Sequence, residues 1–358
     1  MSNIYLENGY IDMRAIMCSN SPYIILTGAR GTGKTYGGLK YSYLLNKKII
    51  YMRRTGPQID TVCAMPDILY KSINKDLNIN VIVETRKTIN VIKDMTNPDD
   101  PKIIGYCAAL TTFSGLRSLD MSDIDILIYD EFCSDTDRAI KNEDIIFLNI
   151  LETVGRNREL QGKKPLKVIL MANSINLENP IFRVLKLTGP AIKLMRQGRL
   201  VWTDPERGIE LYNIFNSPIS KKKADTALYR LTDNADFRDM ALYNRYTAND
   251  LSHVKPQNLK NYEYVLNFGE LHLYKSRNSN VIYISAHGAG TPRHVYGSNS
   301  NEIQRARREL VNLPFNYFDN LVIFESYELE IIFKSYFNIR YPSRFASILP
   351  HQLTESCP

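Results

Sequence analysis

The stretch that most limits how this chain can fold is a glycine-rich loop between an apolar run and a helix-compatible segment. Residues 23–26 read Tyr-Ile-Ile-Leu, a composition typical of a buried strand, and the helix-compatible segment follows Gly33. Between them GARGTGKT matches the pattern G-x-x-x-x-G-K-[ST] in full, in the strand–loop–helix context that it requires. We call residues 28–35 the glycine-rich loop. The pattern predicts a P-loop α/β domain.

The residues of this loop predict binding of a nucleoside triphosphate. Glycines let consecutive backbone N–H groups point inward at phosphates, and the following helix adds its own N-terminal N–H groups. Lys34 would reach the β- and γ-phosphates, and the Thr35 hydroxyl would bind Mg²⁺. The alternative is a glycine-rich turn with a chance lysine, which the satisfied context disfavours. The residues predicted to bind ATP are Gly28, Ala29, Arg30, Gly31, Thr32, Gly33, Lys34, Thr35 and Tyr36.

A second predicted strand ends in two adjacent carboxylates. In the run IDILIYDE, Asp130 fits the carboxylate that holds Mg²⁺ through its water shell. Glu131 would act as the base for the water that attacks the γ-phosphate, which a hydrolase needs and a kinase or switch does not. The competing interpretation is two acids that merely end a strand. A further apolar run ends at Asn173, which we expect beside the glycine-rich loop, where it would orient water or sense the γ-phosphate.

Other segments complete the first predicted domain. Tyr5 and Tyr10, in an N-terminal strap, would cover an adenine or pack against the domain edge. Arg53 and Arg54 follow a central strand, where they would sense phosphate or a neighbouring subunit, or form a solvated turn. Residues 111–118, rich in Ser, Thr and Gly, are predicted to form a mobile surface loop. The remaining predicted elements are strands over 48–52, 103–108, 124–130 and 167–173, a hairpin over 80–93, and helices over 36–45 and 144–154.

Composition limits the class of protein and its partners. A chain of 358 residues favours two domains, and its net charge of +7 fits an anionic partner or an ordinary basic cytosolic protein. The five cysteines are scattered without a C-x-x-C pair, which is typical of reduced thiols in a cytosolic protein. The N-terminal residues lack the basic region and apolar core of a signal peptide, and no apolar run approaches the length of a membrane span.

The order of the motifs resembles the phi29-type bacteriophage DNA-packaging ATPases, small relatives of the terminase large subunits. The segments that carry this resemblance, over roughly residues 20–185, are GARGTGKT, IYMRR, LIYDEF, LETVGRNRE and LMANS. The resemblance implies a motor that uses ATP and Mg²⁺ to move double-stranded DNA. It also implies a homomeric ring, a pentamer, that assembles with a packaging RNA and docks transiently on the prohead portal in the host cytoplasm.

The same resemblance assigns roles to three arginines. Arg156 matches the arginine finger that enters the neighbouring subunit's site, with Arg158 as its nearest rival. Arg30 matches the extra arginine that packaging ATPases place inside the phosphate loop. A guanidinium beside the γ-phosphate neutralises charge that builds in the transition state, which is worth ~10³–10⁵ in rate. The competing interpretation of Arg156 is a helix-end arginine that satisfies carbonyls and the helix dipole.

The second half of the chain changes in character. Basic runs and turn residues predict a small linker domain over residues 196–240, after an ATPase domain over 1–195. In residues 241–358, strand-like runs over 264–268, 271–275 and 281–285 and helical patterns over 301–312 and 325–336 resemble the ribonuclease-H-like nuclease domain of terminases.

The predicted third domain lacks the acids of a nuclease. Two-metal cleavage needs converging carboxylates, but the opening hairpin carries only Glu270, at its turn, and no Asp. We therefore interpret the nuclease as vestigial. For Arg305, Arg307 and Arg308 a merely solvated helix face is an equal alternative. The residues expected to contact DNA or RNA phosphates are Lys275, Arg277, Arg293, Arg305, Arg307 and Arg308.

Three other functions fit less well than a DNA-translocating ATPase. A helicase-like ATPase would share every motif of the first half but usually carries a second ATPase lobe, and residues 195–358 show no second set of nucleotide motifs. A GTP-binding switch needs an Asn-Lys-x-Asp sequence, which residues 74–77 (NKDL) miss in spacing. A non-catalytic interaction protein would not explain intact Lys34, Thr35, Asp130 and Glu131.

Overall fold

Two β-sheets organise the chain, one in each of the two units into which it divides, Met1–Asn249 and Asp250–Pro358. The computed structural model describes residues 4–86, 89–116, 120–133, 140–173, 177, 179–214, 217–231 and 251–339. No helix in these ranges is long and apolar enough to cross a membrane.

The first unit contains nine strands and nine α-helices among its described residues. The strands are β1 (Tyr23–Gly28), β2 (Ile49–Arg53), β3 (Val81–Glu84), β4 (Asn90–Asp94), β5 (Lys102–Ala109), β6 (Ile126–Asp130), β7 (Lys167–Ala172), β8 (Val201–Asp204) and β9 (Ile209–Ile214). The helices are α1 (Met13–Met17), α2 (Lys34–Leu44), α3 (Gly56–Val62), α4 (Lys71–Leu77), α5 (Glu143–Gly155), α6 (Pro180–Val184), α7 (Thr188–Gln197), α8 (Pro218–Ala224) and α9 (Ala227–Leu231).

The nine strands lie in the order β3-β4-β5-β2-β6-β7-β1-β9-β8. From β5 to β9 all neighbours are parallel, whereas β3, β4 and β8 pair antiparallel at the two ends. Parallel strands are covered on both faces and read as continuous apolar runs. Ile24, Ile25 and Leu26 accordingly have no exposed surface. Because parallel strands end at one edge of a sheet, the glycine-rich loop, Asp130 and Asn173 share the carboxyl edge.

The predicted strands, hairpin and helices of this unit are confirmed, apart from shifts of a few residues at their ends. The predicted surface loop over residues 111–118 is different, because Leu110–Leu116 forms a 3-10 helix. Phe113 anchors this helix, since its ring is 1% exposed. The last two residues of the predicted loop, Arg117 and Ser118, lie outside the described residues.

The first sheet extends past residue 195, where its domain was predicted to end. β8 and β9 fall within the predicted linker, yet β9 pairs with β1 along its whole length, from Tyr23↔Ile209 to Gly28↔Ile214. The predicted boundary at residue 195 therefore does not coincide with the end of the sheet. The cause is that β8 (VWTD) and β9 (IELYNI) mix polar and apolar residues and stand among the basic runs and turn residues from which the linker was predicted. Residues 232–250 lie outside the described residues, so the division into three domains stays a prediction.

The second unit contains a five-stranded sheet in the order β13-β10-β11-β12-β14. Its strands are β10 (Tyr262–Phe268), β11 (Leu271–Ser276), β12 (Ile282–Ser285), β13 (His294–Tyr296) and β14 (Val322–Phe324), and its helices are α10 (Ser300–Glu309), α11 (Asn312–Phe318) and α12 (Tyr327–Phe337). The three predicted strands and two predicted helices are confirmed. The antiparallel strands β10, β11 and β12 are flanked by β13 and β14, each parallel to its neighbour.

Candidate active site

The glycine-rich loop connects β1 to the first turn of α2. Gly31 and Gly33 have φ angles of +67° and +91°, a region that other residues rarely adopt, which explains glycine at these two positions. Gly33 is the N-cap of α2 and has no side chain that could accept hydrogen bonds from the first N–H groups of the helix. The first turn of α2 therefore offers its backbone N–H groups, and the positive end of its dipole, to an anion.

Lys34 is folded back into the loop and is 5% exposed. Its Nζ donates to the carbonyl oxygens of Gly28 at 2.9 Å and Ala29 at 3.0 Å, and to Oγ1 of Thr32 at 3.4 Å. Burial lowers the pKa of Lys34 to about 8, against the opposing effect of nearby negative charges. A phosphate group would give this buried ammonium the anionic partner that carbonyl oxygens only partly replace.

Thr35 and Asp130 are in direct contact. The Thr35 hydroxyl donates to Oδ2 of Asp130 at 2.9 Å, and the hydroxyl of Tyr51 on the neighbouring strand β2 donates to the same oxygen at 2.9 Å. Asp130 is 4% exposed. Hydroxyl and carboxylate oxygens are the ligands that Mg²⁺ prefers in proteins, so this donor set fits the predicted ion.

Glu131 lies beside this pair in a left-handed backbone conformation, with φ +55°. Its N–H donates to Oδ1 of Asp130 at 3.1 Å, and its carboxylate forms an ion pair with Arg53. An Nη of Arg53 also lies 3.4 Å from Oδ2 of Asp130, and its Nε donates to the Tyr51 hydroxyl at 2.9 Å. Arg53 is therefore in contact with both carboxylates of the site, and positive charge at this point lets two acids lie together.

The interpretation of Arg53 and Arg54 as a solvated turn is wrong, because their side chains are 16% and 6% exposed. Arg53 turns toward Asp130 and Glu131, whereas Arg54 forms a buried ion pair with Glu143, the first residue of α5. The sequence singles out the two adjacent arginines at the end of a strand. It does not indicate which acidic residues they contact.

Asn173 follows β7 directly and is half-buried. Ala172 before it pairs with Thr27, which places Asn173 at the same edge as the glycine-rich loop. Tyr36, in the first turn of α2, donates its hydroxyl to Asp76 on α4. Through its backbone N–H, Tyr36 could still contact a nucleotide, as could Lys34 and Thr35 of the same turn.

The two tyrosines of the N-terminal strap differ in their surroundings. The ring of Tyr10 lies against the glycine-rich loop, where a Cβ at Gly33 would be 3.2 Å from its Cδ1. Tyr10 is 40% exposed, and the N–H of Ile11 donates to the carbonyl of Thr32 at 3.0 Å. Burial raises the pKa of Tyr5 to about 12, as expected for a ring packed into the domain. Tyr10 therefore lies next to the glycine-rich loop, whereas Tyr5 packs into the domain.

Arg156 and Arg158 lie at the opposite edge of the sheet. α5 begins at Glu143 beside Arg54 and runs 13 residues, about 20 Å, toward the amino ends of the strands. An Nη of Arg158 donates at 2.7 Å to the carbonyl of Ile124, just before β6. Among the described residues, no group accepts a hydrogen bond from the buried Nε of Arg158.

The Arg156 side chain contacts the end of its own helix and an exposed aspartate. The residue caps α5 with φ +40°, and its guanidinium donates to the carbonyl of Thr153 at 3.2 Å and to Asp120 at 3.2 Å. The side chains of Arg156 and Asp120 are 37% and 74% exposed. Next to this turn lies a cleft of about 600 Å³, lined by Tyr23, Glu152, Arg156, Arg158, Glu159 and Leu160 among others. The structure therefore does not bring Arg156 or Arg158 to Lys34 of the same chain.

In the second unit the predicted nucleic-acid contacts fall into two groups. Arg293 pairs with Glu263 at 2.5 Å, Arg305 pairs with Glu309 at 2.9 Å, and Arg307 donates to carbonyl oxygens at the end of α12. These arginines therefore have partners within their own unit. The side chains that are simply exposed are Lys275, Arg277 and Arg308.

One basic residue at the glycine-rich loop was missed by the sequence analysis. Lys223 belongs to α8, in the predicted linker, and its Nζ donates to the carbonyl of Arg30 at 2.7 Å. Arg30 itself is exposed on the loop. In the sequence nothing separates Lys223 from Lys221 and Lys222. Its position becomes clear only from the pairing of β9 with β1.

The nine-stranded sheet and the groups at its carboxyl edge define an α/β protein with a largely parallel central sheet. The family profile described as podovirus DNA encapsidation protein (Gp16) matches residues 8–330, and the chain belongs to this family.

Individual relatives agree with this assignment. The DNA packaging protein of Bacillus phage phi29 is 24% identical over 301 residues, which cover 81% of this chain and 82% of that protein. The DNA packaging protein of Bacillus phage PZA is 23% identical over 301 residues, with the same coverage.

Solved structures show the same fold. A chain of the bacteriophage phi29 viral genome packaging motor assembly superposes with a TM-score of 0.67 and 16% identity, over 94% of this chain and 99% of that one. A chain of the Phi-28 gp11 DNA packaging motor superposes with a TM-score of 0.63 and 16% identity, over 94% of this chain and 100% of that one.

Proposed function

We propose that this chain is an ATP-hydrolysing motor subunit that moves double-stranded viral DNA into a prohead. The observation that carries the proposal is the hydrogen bond between Thr35 and Asp130, with Glu131 adjacent to it. Hydrolysis of a magnesium nucleotide requires a hydroxyl and a carboxylate that hold Mg²⁺, with a second carboxylate close by as the base. Membership of the DNA encapsidation family supports DNA as the substrate that is moved.

Each residue at the carboxyl edge has a role in this proposal. Lys34 and the first turn of α2 would bind the phosphates, and Thr35 and Asp130 would hold Mg²⁺, which would neutralise charge on the triphosphate. Glu131 takes the proton of the attacking water. Arg30 adds positive charge over the loop, and Asn173 orients the water from β7.

The transition state needs one more cation, which we assign to Arg156 of a neighbouring subunit. Arg156 lies about 20 Å along α5 from the carboxyl edge, so it cannot serve its own Lys34 in this conformation. A group on one edge that serves the opposite edge of the next copy makes a head-to-tail contact, which closes into a ring when the rotation permits. A ring of five, a packaging RNA and docking on the prohead portal in the host cytoplasm belong to this proposal by resemblance. Arg158, two residues after Arg156, is the alternative candidate for the arginine finger.

Substitution of Glu131 tests the hydrolytic role. Glu131→Gln keeps the shape and removes the base, so we expect turnover of ATP in the presence of DNA to fall ~10²-fold or more. Binding of a fluorescent ATP analogue is retained, whereas Lys34→Ala loses binding as well. Glu206→Gln, in the exposed turn between β8 and β9, is the matched control and leaves the rate unchanged. If Glu131→Gln hydrolyses ATP at the wild-type rate, Glu131 is not the base.

For the second unit we propose binding of DNA or RNA without cleavage. The proposal is supported by the opening hairpin, because β10 and β11 contain no Asp, Glu263 of β10 is paired with Arg293, and Glu270 lies in the exposed turn between the strands. Plasmid DNA incubated with the protein and Mg²⁺ or Mn²⁺ should remain intact, yet bind in a salt-dependent way. Metal-dependent cleavage that disappears when an acid in residues 262–358 is changed contradicts this.

A further inference from the structure

Lys223 brings a second lysine to the glycine-rich loop from outside the motif. Its Nζ donates to the carbonyl of Arg30 at 2.7 Å. A Cβ placed on Gly31 would lie 2.7 Å from the same Nζ, so the ammonium rests directly over bare backbone. Lys221 and Lys222 of the same helix are exposed. Of this basic run, only Lys223 meets the loop.

The fold holds α8 at this position from two sides. β9 is parallel to β1, and the N–H of Ala29 donates to the carbonyl of Ile214 at 3.3 Å, so both strands end at the glycine-rich loop. On the other side the N-terminal strap touches the start of α8, where a Cβ at Gly9 would be 3.0 Å from the backbone nitrogen of Ile219. The approach of Lys223 to the loop therefore follows from the sheet order rather than from a chance rotamer.

The charges around the loop favour an anion between them. Lys34, Arg30 and Lys223 bring three positive charges to one short loop, and Lys34 and Lys223 donate to oxygens of that loop, mainly its carbonyls. Burial, and then the charge of Arg30, lower the pKa of Lys223. Like charges packed this closely disfavour one another, and a bound polyphosphate reverses that effect.

We propose that Lys223 binds the terminal phosphate of the nucleoside triphosphate and makes the site prefer a triphosphate to a diphosphate. The inference rests on the proposed nucleotide site. The inner phosphates lie against the first turn of α2, and Lys223 contacts the same loop at Arg30 and Gly31. Its flexible four-carbon stem lets the ammonium leave the Arg30 carbonyl for a phosphate oxygen. The lysine replaces one charge-assisted hydrogen bond by another, so no other rearrangement is required.

Equilibrium binding to the full-length protein, without DNA, tests the inference. A fluorescent non-hydrolysable ATP analogue and the corresponding ADP derivative are titrated into wild-type protein, Lys223→Met, Lys223→Arg and the control Lys222→Met. Lys223→Met keeps the apolar stem and loses the charge, so it should bind the triphosphate roughly 10-fold to 100-fold more weakly. Its binding of the diphosphate should be almost unchanged. Lys223→Arg should recover most of the preference, and Lys222→Met should match the wild type.

The pattern across the two nucleotides separates the explanations. An equal loss for both nucleotides in Lys223→Met overturns the inference, because it means that the lysine only holds the loop in shape. No loss for either nucleotide overturns it as well. If the wild type binds neither nucleotide, or Lys34→Ala binds both normally, the proposed nucleotide site fails instead. Retained diphosphate binding in Lys223→Met shows at the same time that the variant is folded.

Discussion

The guanidinium of Arg54 meets the carboxylate of Glu143 through two parallel hydrogen bonds, Nε to Oε1 at 2.8 Å and Nη2 to Oε2 at 2.9 Å. The two side chains are 6% and 1% exposed. The pair joins the residue after β2 to the first residue of α5. It therefore fixes where α5 begins, and through the length of that helix it fixes where Arg156 lies.

Breaking this pair should destabilise the first unit. Arg54→Met leaves the Glu143 carboxylate buried without its cation, which costs about 3–5 kcal/mol in the free energy of unfolding. Arg54→Met combined with Glu143→Leu removes both charges and should recover most of the loss. The matched control is Arg207→Met, which breaks a more exposed pair with Asp204, whose side chains are 38% and 22% exposed, and should cost about 0–1 kcal/mol. Urea unfolding measures all four proteins. Equal effects of Arg54→Met and Arg207→Met would contradict the buried pair.

The lowered pKa of Lys34 should be visible as a proton taken up when nucleotide binds. Burial puts this pKa at about 8 in the folded chain, below the usual 10.5. Between these pH values the unfolded chain holds a proton that the folded chain has released, so Lys34 makes the free energy of unfolding rise with pH across that window.

A bound triphosphate restores the protonated lysine, so binding at pH 8 should take up about half a proton. The affinity should then fall as the pH is raised further. Isothermal titration calorimetry at pH 8, in buffers with different ionisation enthalpies, measures the uptake. A value near zero at pH 8, together with an affinity that does not change up to pH 9, would show that Lys34 is already fully protonated without nucleotide.

A finger that acts in trans predicts complementation between two inactive proteins. Arg156→Ala keeps an intact glycine-rich loop but offers no finger, whereas Lys34→Ala offers a finger and cannot bind nucleotide. In mixed assemblies some interfaces join a subunit with an intact glycine-rich loop to a subunit with an intact Arg156, so the mixture should regain part of the ATPase rate. Arg158→Ala mixed with Lys34→Ala distinguishes the rival finger.

The control for this experiment is assembly itself, since both variants must be shown to associate with wild-type protein in the presence of DNA and an ATP analogue. When they co-assemble and the rate stays at zero at every mixing ratio, Arg156 acts within its own subunit or not at all.

The parts of the site that the sequence predicts are those held together by local order. Gly28 to Thr35 and the run ending at Asp130 and Glu131 are contiguous motifs, and the apolar runs before them place both at the ends of strands. Contacts that depend on strand order are different. Arg53 meets Glu131 because β2 lies beside β6, and Lys223 meets Arg30 because β9 lies beside β1. Which strands lie side by side in the sheet cannot be predicted from the sequence in either case.

Short elements were missed for a related reason. β13 and β14 have three residues each, so they show no period that separates a strand from a loop. The 3-10 helix over Leu110–Leu116 is rich in Ser, Thr and Gly and reads as a loop, but Phe113 fixes it through a contact that only the folded chain supplies.

The distance between Arg156 and the glycine-rich loop of its own chain has a consequence for counting active sites. When each site borrows its finger from a neighbour, a lone subunit has no complete site. An open arc of n subunits has n − 1 complete sites, and only a closed ring has n. The last subunit to join therefore completes two sites at once, its own and that of the subunit it serves. Hydrolysis per subunit then rises with protein concentration and reaches its maximum only at closure, so an ATPase titration reports on assembly without any image of the ring.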